Sequence, residues 1–200
     1  LHPIPTDPAM AVYTPDDLMA GLAPSGQTVA LYDDDHFYMG SVLAELLVAK
    51  GNRVHFITPA VKVAEWTDNT LEQGTIMRRL LEVGVEIHLS KAPEAIGAAE
   101  ITLGCTWTGR ETALACEAVV FVTSRIPNDS LFHETKALGW QGVGIRSLKL
   151  IGDAAAPGPI AWATYAGRAW AEGLDQPDQG DALAFRREIT ALEPGASLLP

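Results

Sequence analysis

"TVALYDDDHFYMGSVLAELL" (Thr28–Leu47) reads as a short apolar strand, a polar turn and a helix over 38–50 with Val42, Leu43, Leu46 and Leu47 on one face. This is the frame of the first strand–turn–helix unit of a dinucleotide-binding sheet. That frame normally has glycines at its turn, because a tight turn lets the backbone approach a diphosphate resting on the helix N-terminus. Here an ungapped alignment puts Asp33, Asp35 and Tyr38 at the three glycine positions, and Gly40 comes two residues late. Carboxylates facing a diphosphate in a partly desolvated turn repel it. The second strand, "RVHFIT" (53–58), ends in Thr58 and Pro59, lacking the acid that holds an adenosine ribose or the Arg that holds a 2′-phosphate. The turn is therefore not expected to take a nicotinamide dinucleotide.

A metal reading of the same turn also lacks support. A calcium loop started at Asp33 wants Gly at its sixth place and Glu at its twelfth, which here are Tyr38 and Ala44. Acids at a helix start complement the helix dipole and cap free amides. Capping is the expected role of Asp33, Asp34 and Asp35, and His36 is expected to be a structural hydrogen-bonder, with no metal site.

Working outward, "LEQGTIMRRLLEVG" (71–84) predicts a second helix and "VEIHLS" (85–90) a third strand. Strand, helix, strand, helix, strand is the pattern of a parallel sheet with right-handed crossovers. "AAEITLGCTWTG" and "RETALACEAVVFVT" predict short strands around Thr108 and Gly109, and "AVVFVTSRIPND" a return to a buried strand. The expected class is α/β: a Rossmann-like three-layer parallel sheet with a small antiparallel ribbon. Upstream, Thr14 before Pro15 and two acids predicts a capped helical turn. In "AEWTDNTLEQ", residues Thr67, Asp68, Asn69 and Thr70 are expected to cap the second helix.

A second glycine turn carries more chemistry. "LKLIGDAAAPGPIAWATYAGRAWAEGL" predicts a strand delivering Gly152 and Asp153, then a helix over about 159–173. Gly152 lets a backbone approach a ligand, and Asp153 can accept hydrogen bonds from ribose or ribityl hydroxyls. Free amides near Ile160 and Ala161 suit a phosphate. An ordinary capped turn is the alternative. "GVGIRS" (142–147) precedes a predicted strand rather than a helix and reads as a loop.

The 200 residues are 48% hydrophobic and 20% charged, enough for a real core, with a net charge of −11 that opposes nucleic acid and anionic membranes. No run of about 18 apolar residues is present for a membrane span, and "LHPIPTDPAM" lacks the basic start and apolar stretch of a signal peptide. Cys105 and Cys116 are expected to be buried free thiols in strands of a cytoplasmic protein. Trp107, Trp140, Trp162 and Trp170 have no basic groove around them and are expected to pack in a core or an interface. There is no Ser-His-Asp string, nucleophile elbow or paired-His zinc motif.

Together, "VALYDDDHFYMGSVLAELLVAKGNRVHFITPA", "EWTDNTLEQGTIMRRLLEVGVEIH", "AVVFVTSRIPN" and "LIGDAAAPGPIAWATYAGRAWAEGLD" resemble the C-terminal region of the trimethylamine dehydrogenase family, which includes dimethylamine and histamine dehydrogenases among the old-yellow-enzyme-like flavin oxidoreductases. The resemblance covers roughly residues 25 to 175, and the Asp-Asp-Asp-His turn and the Trp-Thr-x-Asn-Thr string mark its amine-dehydrogenase branch. It implies an N-terminal TIM barrel with FMN and a 4Fe-4S cluster, then domains like the FAD and NAD(P)H domains of glutathione reductase. Pro-rich 1–24 is expected to be an arm and linker, and by the resemblance 25–124 is a NAD(P)-binding-like domain. Residues 125–175 match the returning segment of an FAD/ADP-binding-like domain, and the Pro/Gly-ended remainder, 176–200, is expected from its own residues to be a tail. Gly152 and Asp153 match the family's second nucleotide contact.

The chain opens on Leu1 rather than Met and contains neither barrel nor cluster cysteines, so it is expected to be a piece of such a protein. The piece is expected to be structural and inactive by itself. The parent would oxidise a small amine, pass electrons to an acceptor protein and form a homo-oligomer. The alternatives are a self-standing ADP- or FAD-binding module and an NAD(P)H-dependent flavin reductase domain.

Overall fold

A computed structural model describes residues 3–174, in two compact units divided after Ser124. The first unit runs β1 (Ala11–Tyr13), α1 (Pro15–Met19), β2 (Thr28–Asp33), α2 (Tyr38–Ala49), β3 (Arg53–Ile57), a 3-10 turn (Glu65–Thr70), α3 (Gln73–Glu82) and β4 (Glu86–His88). It continues through β5 (Lys91–Ile96), β6 (Glu100–Cys105), β7 (Glu111–Ala115) and β8 (Ala118–Val122).

Two β-α-β crossovers build β2, β3 and β4 into a parallel sheet, and β8 returns on the other side of β2, giving the order β1-β8-β2-β3-β4. Side chains alternate across a strand, so each strand feeds two cores. Val29, Leu31, Val54, Phe56, Val120 and Val122 face Leu43 and Leu47 of α2 and Leu80 of α3. Ala30, Tyr32, Ile57 and Val119 face Ile96, Ile101 and Leu103 of the antiparallel sheet β5-β6-β7. The layers are therefore helices, parallel sheet and antiparallel sheet, the α/β class that the periodicity predicts.

Local chemistry explains the element ends. Thr14 caps α1 in a capping box: its hydroxyl accepts from Asp17 N while Asp17 Oδ2 accepts from Thr14 N at 2.8 Å. After α2, Gly51 takes φ +82, and buried Asn52 donates to the Pro24 and Leu47 carbonyls and accepts from Gln27 N.

Three elements escape the sequence pattern. β1 has only three residues, too few for a period, and forms because β8 offers its edge in the register Ala11↔Ala118 to Tyr13↔Val120. β5 contains Pro93, which argues against a strand; it sits at the sheet edge with a register shift between Pro93 and Ala95, where a missing amide is tolerated. In the second unit, α4 (Ser130–Ala137) lacks a strong apolar stripe.

The second unit otherwise holds 3-10 turns at Trp140–Val143 and Gly152–Ala154, then α5 (Ile160–Glu172). The strand expected before Gly152 is not formed: 145–151 has no regular structure. A strand needs a neighbour for its amides and carbonyls, and the described residues of this unit contain no other strand. The predicted tail lies outside the described residues.

Candidate functional site

β2 ends at Asp33 beside Val122 of β8, and Asp34 N donates to the Val122 carbonyl at 2.8 Å. From β2 the chain proceeds to β3 on one side, while β8 and β1 lie on the other. The carboxyl ends of β2 and β8 therefore form the topological switch point, where open α/β sheets bind ligands.

Here that point is filled from within. Asp33 is fully buried; its Oδ1 lies 3.4 Å from Asp35 N, and its Oδ2 has no hydrogen-bond partner. Gly40 lies so close that a Cβ there would be 2.7 Å from Asp33 Cγ. Burial pushes the Asp33 carboxyl up to about 7, with nearby His36 opposing the shift and Asp35 adding to it. A diphosphate does not fit a turn whose cradle holds a buried carboxyl of this chain and whose flanks are two further aspartates.

The capping expectation is corrected. Phe37 is the N-cap of α2, no side chain caps it, and no acid lies in its first turn. The aspartates precede the helix on a turn in which His36 adopts φ +59, so their carboxylates do not reach its free amides. His36 Nε2 instead meets Asp34 Oδ1 at 3.3 Å, and that contact holds its proton more firmly than usual.

The turn's backbone and its aromatic residue grip the segment after β3. Trp66 N donates to the His36 carbonyl at 3.0 Å. Tyr38 Oη pairs with Thr70 Oγ1 at 3.0 Å and with the Glu72 carboxylate. Thr67, Asp68, Asn69 and Thr70 do not cap α3, whose N-cap is Glu72 with no side-chain bond. Thr67 Oγ1 donates to Ala64 O, Thr70 Oγ1 to Thr67 O, and Asp68 pairs with Lys62 at 2.5 Å. The two quoted strings, "YDDDHFYMG" and "EWTDNT", thus hold each other.

In the second unit, Gly152 has φ +61, a conformation that favours glycine, and a Cβ there would touch Ala163 of α5 at 3.5 Å. The turn is brought against α5 without the expected strand behind it. Asp153, Ile160 and Ala161 are exposed, and α5 begins after Pro159 with no side-chain cap.

The thiols divide in a way their positions along strands do not predict. Both are free, but Cys105 is only partly buried at the end of β6, and Cys116 lies just past β7 in the core. Hydrogen bonds from the Thr108 side chain and then from the Trp107 and Thr108 backbone lower Cys105 to about 7, while burial pushes Cys116 up to about 11. At pH 7.5 iodoacetamide is expected to alkylate Cys105 at least tenfold faster than Cys116, because only thiolate reacts. Peptide mapping checks this; equal rates would contradict it.

Sequence reading singles out neither His55 nor the Glu86–His88 pair. Their signal is a His in one strand and Glu-x-His in the next, which share a face once β3 and β4 pair. Beside them, the amino ends of β2 and β3 border a cavity of about 350 Å³ between Thr28, Arg53, His55, Leu114, Cys116 and Glu117, at the opposite end of the strands from the acidic turn.

The OYE-like second alpha/beta domain family matches residues 13–112. Dimethylamine dehydrogenase of Hyphomicrobium sp. (strain x) is 27% identical over 201 residues, covering 90% of this chain and 27% of that protein. The histamine dehydrogenase structure from Rhizobium sp. 4-9 matches with 51% identity and a TM-score of 0.89, over 97% of this chain and 30% of the other. The 6-hydroxypseudooxynicotine amine oxidase structure from Pseudomonas geniculata N1 matches with 37% identity and a TM-score of 0.76, over 84% of this chain and 25% of the other. The chain thus spans between 25 and 30% of these relatives' lengths. By the match over residues 13–112, the chain belongs to the OYE-like second alpha/beta domain family, with relatives that include a dimethylamine dehydrogenase and a histamine dehydrogenase.

Proposed function

We propose that this chain is the C-terminal nucleotide-binding-like region of a flavin-dependent amine dehydrogenase, and that it serves structure rather than catalysis. The observation that carries the reading is 51% identity to a histamine dehydrogenase over 97% of the chain. The filled switch point supports a scaffold role, since Asp33 sits where a bound nucleotide would lie. The parent oxidises a small amine by N-demethylation or deamination, with FMN and a 4Fe-4S cluster in an N-terminal barrel. An electron-acceptor protein and a second copy of the parent are its partners. With two cysteines, the chain cannot supply the four thiolates of such a cluster.

The domain reading keeps 25–124 as the NAD(P)-binding-like part and 125–175 as the returning part of an FAD/ADP-like domain. None of the described residues of the second unit is buried, and Ile160 (83% exposed) and Trp162 (57%) stand uncovered on α5. A segment without a core of its own is what a returning half-domain would be.

A second reading, adenine-nucleotide binding at Gly152, Asp153, Ile160 and Ala161, is favoured by the left-handed glycine packed against an uncapped helix. Equilibrium dialysis of the 200-residue chain against ADP, FAD and NADH separates the readings. The scaffold reading expects no retention of NADH and no tight retention of FAD. Tight FAD binding lost in Asp153→Ala would establish the second reading and overturn the first.

A further inference from the structure

We propose that His55, Glu86 and His88 form a site for one divalent first-row metal ion of the Zn²⁺ class, held by two imidazoles and one carboxylate with a further position open to solvent. The site follows from register. β3 and β4 pair in parallel with His55 opposite Glu86 and Ile57 opposite His88, so the three side chains share one face of the sheet. Their ligating atoms all lie within 4.8 Å of one another.

The spacing matches a coordination sphere. Ligands at about 2.0–2.1 Å from a tetrahedral Zn²⁺ lie about 3.3 Å apart. His55 Nδ1 is 3.1 Å from His88 Nε2 and 3.5 Å from Glu86 Oε2. Two imidazoles and a carboxylate are also the donor set that borderline metals prefer over hard calcium or magnesium.

The surroundings suit a metal. His55 is buried at 4% exposure, which fixes one ligand, while Glu86 is exposed on edge strand β4 and gives an ion a way in. Arg53 Nε and Nη2 both donate to Glu86 Oε1, at 3.0 and 2.6 Å. That contact neutralises Arg53, orients the carboxylate and leaves Oε2 for the site, as outer partners of metal ligands do. The Lys91 ammonium, on the strand that follows β4, donates to Thr112 Oγ1 at 3.4 Å. A neutral hydrogen bond between the two histidines is the competing account, and a metal titration distinguishes it.

The test uses the 200-residue chain without added histidines, stripped with EDTA and titrated with Co²⁺ and Zn²⁺. One Co²⁺ per chain is expected to give the ligand-field bands of a four- or five-coordinate ion, and Zn²⁺ to displace it. His88→Ala and Glu86→Gln alter the exposed side of the site, so their folding can be verified by circular dichroism. Each is expected to weaken Zn²⁺ binding by more than the roughly 10–100-fold that losing an outer partner costs, and Arg53→Gln to weaken it by about that amount. Absence of low-coordinate bands, or Zn²⁺ affinity unchanged in folded His88→Ala and Glu86→Gln, overturns the proposal in favour of the histidine hydrogen bond.

Discussion

At pH 5 the chain is expected to be more stable to urea than at pH 8, and Asp33→Asn is expected to remove most of that difference. Asp33 has an ordinary value of 3.8 and is raised to about 7 in the fold, chiefly by burial. Below about pH 4 the carboxyl is protonated in both states and costs nothing. As pH rises to about 7 the unfolded chain loses the proton while the folded chain keeps it, so stability falls; above that both forms are ionised and the loss is complete. Between pH 5 and about 7, two pH units at about 1.4 kcal/mol each set the expected difference at up to about 3 kcal/mol. Asparagine keeps the shape of the protonated acid without titrating.

Other groups titrate nearby, so the measured quantity is the difference between wild type and Asp33→Asn. His36, raised chiefly by its bond to Asp34, also gives stability that disappears as pH rises through its folded value. His55 and His88, lowered first by burial, act oppositely, since their contribution is lost as pH falls. Urea midpoints and slopes for both proteins at pH 5 and pH 8 isolate Asp33. Parallel pH profiles would show that its carboxyl is ionised throughout and that the turn holds a charge.

The parts of the fold legible in the sequence are those governed by repetition. Val29, Leu31, Val54 and Phe56 alternate with Ala30 and Ile57, and α2 repeats its apolar face, so β2-α2-β3 emerges from pattern alone. β1 and β5 depend on a neighbour's edge, which no local window contains. The acidic turn was legible in composition and not in orientation. Three aspartates before a helix invite a capping reading, but Asp33 is still part of β2 and follows Val29 and Leu31 onto the helix-facing side, while the turn with His36 at φ +59 presents the His36 carbonyl to Trp66 N. The His55–Glu86–His88 cluster required the register of β3 on β4, since its members are 31 and 33 residues apart in pairs the sequence does not mark.

Gly40→Ala is expected to destabilise the chain by about 2 kcal/mol, within the range of core overpacking, although alanine is the better helix former by about 1 kcal/mol. Gly40 lies in the first turn of α2, and its new Cβ would stand 2.7 Å from Asp33 Cγ, 2.8 Å from Oδ1 and 2.9 Å from Cβ. Asp33 has no exposed surface into which it can retreat. Truncating the acid removes the obstacle, so in an Asp33→Ala background Gly40→Ala is expected to be neutral or stabilising. The four proteins form a double-mutant cycle with a coupling of about 2 kcal/mol, above the few tenths seen between independent sites. Urea denaturation at pH 5, where Asp33 is protonated in the fold, keeps its charge out of the folded-state contact. A Gly40→Ala protein as stable as wild type would mean that the helix can shift away and that the switch point has room. A strong coupling would mean that glycine persists at this turn to accommodate the chain's own carboxyl, in the place where a related sheet would bring its backbone close to a phosphate.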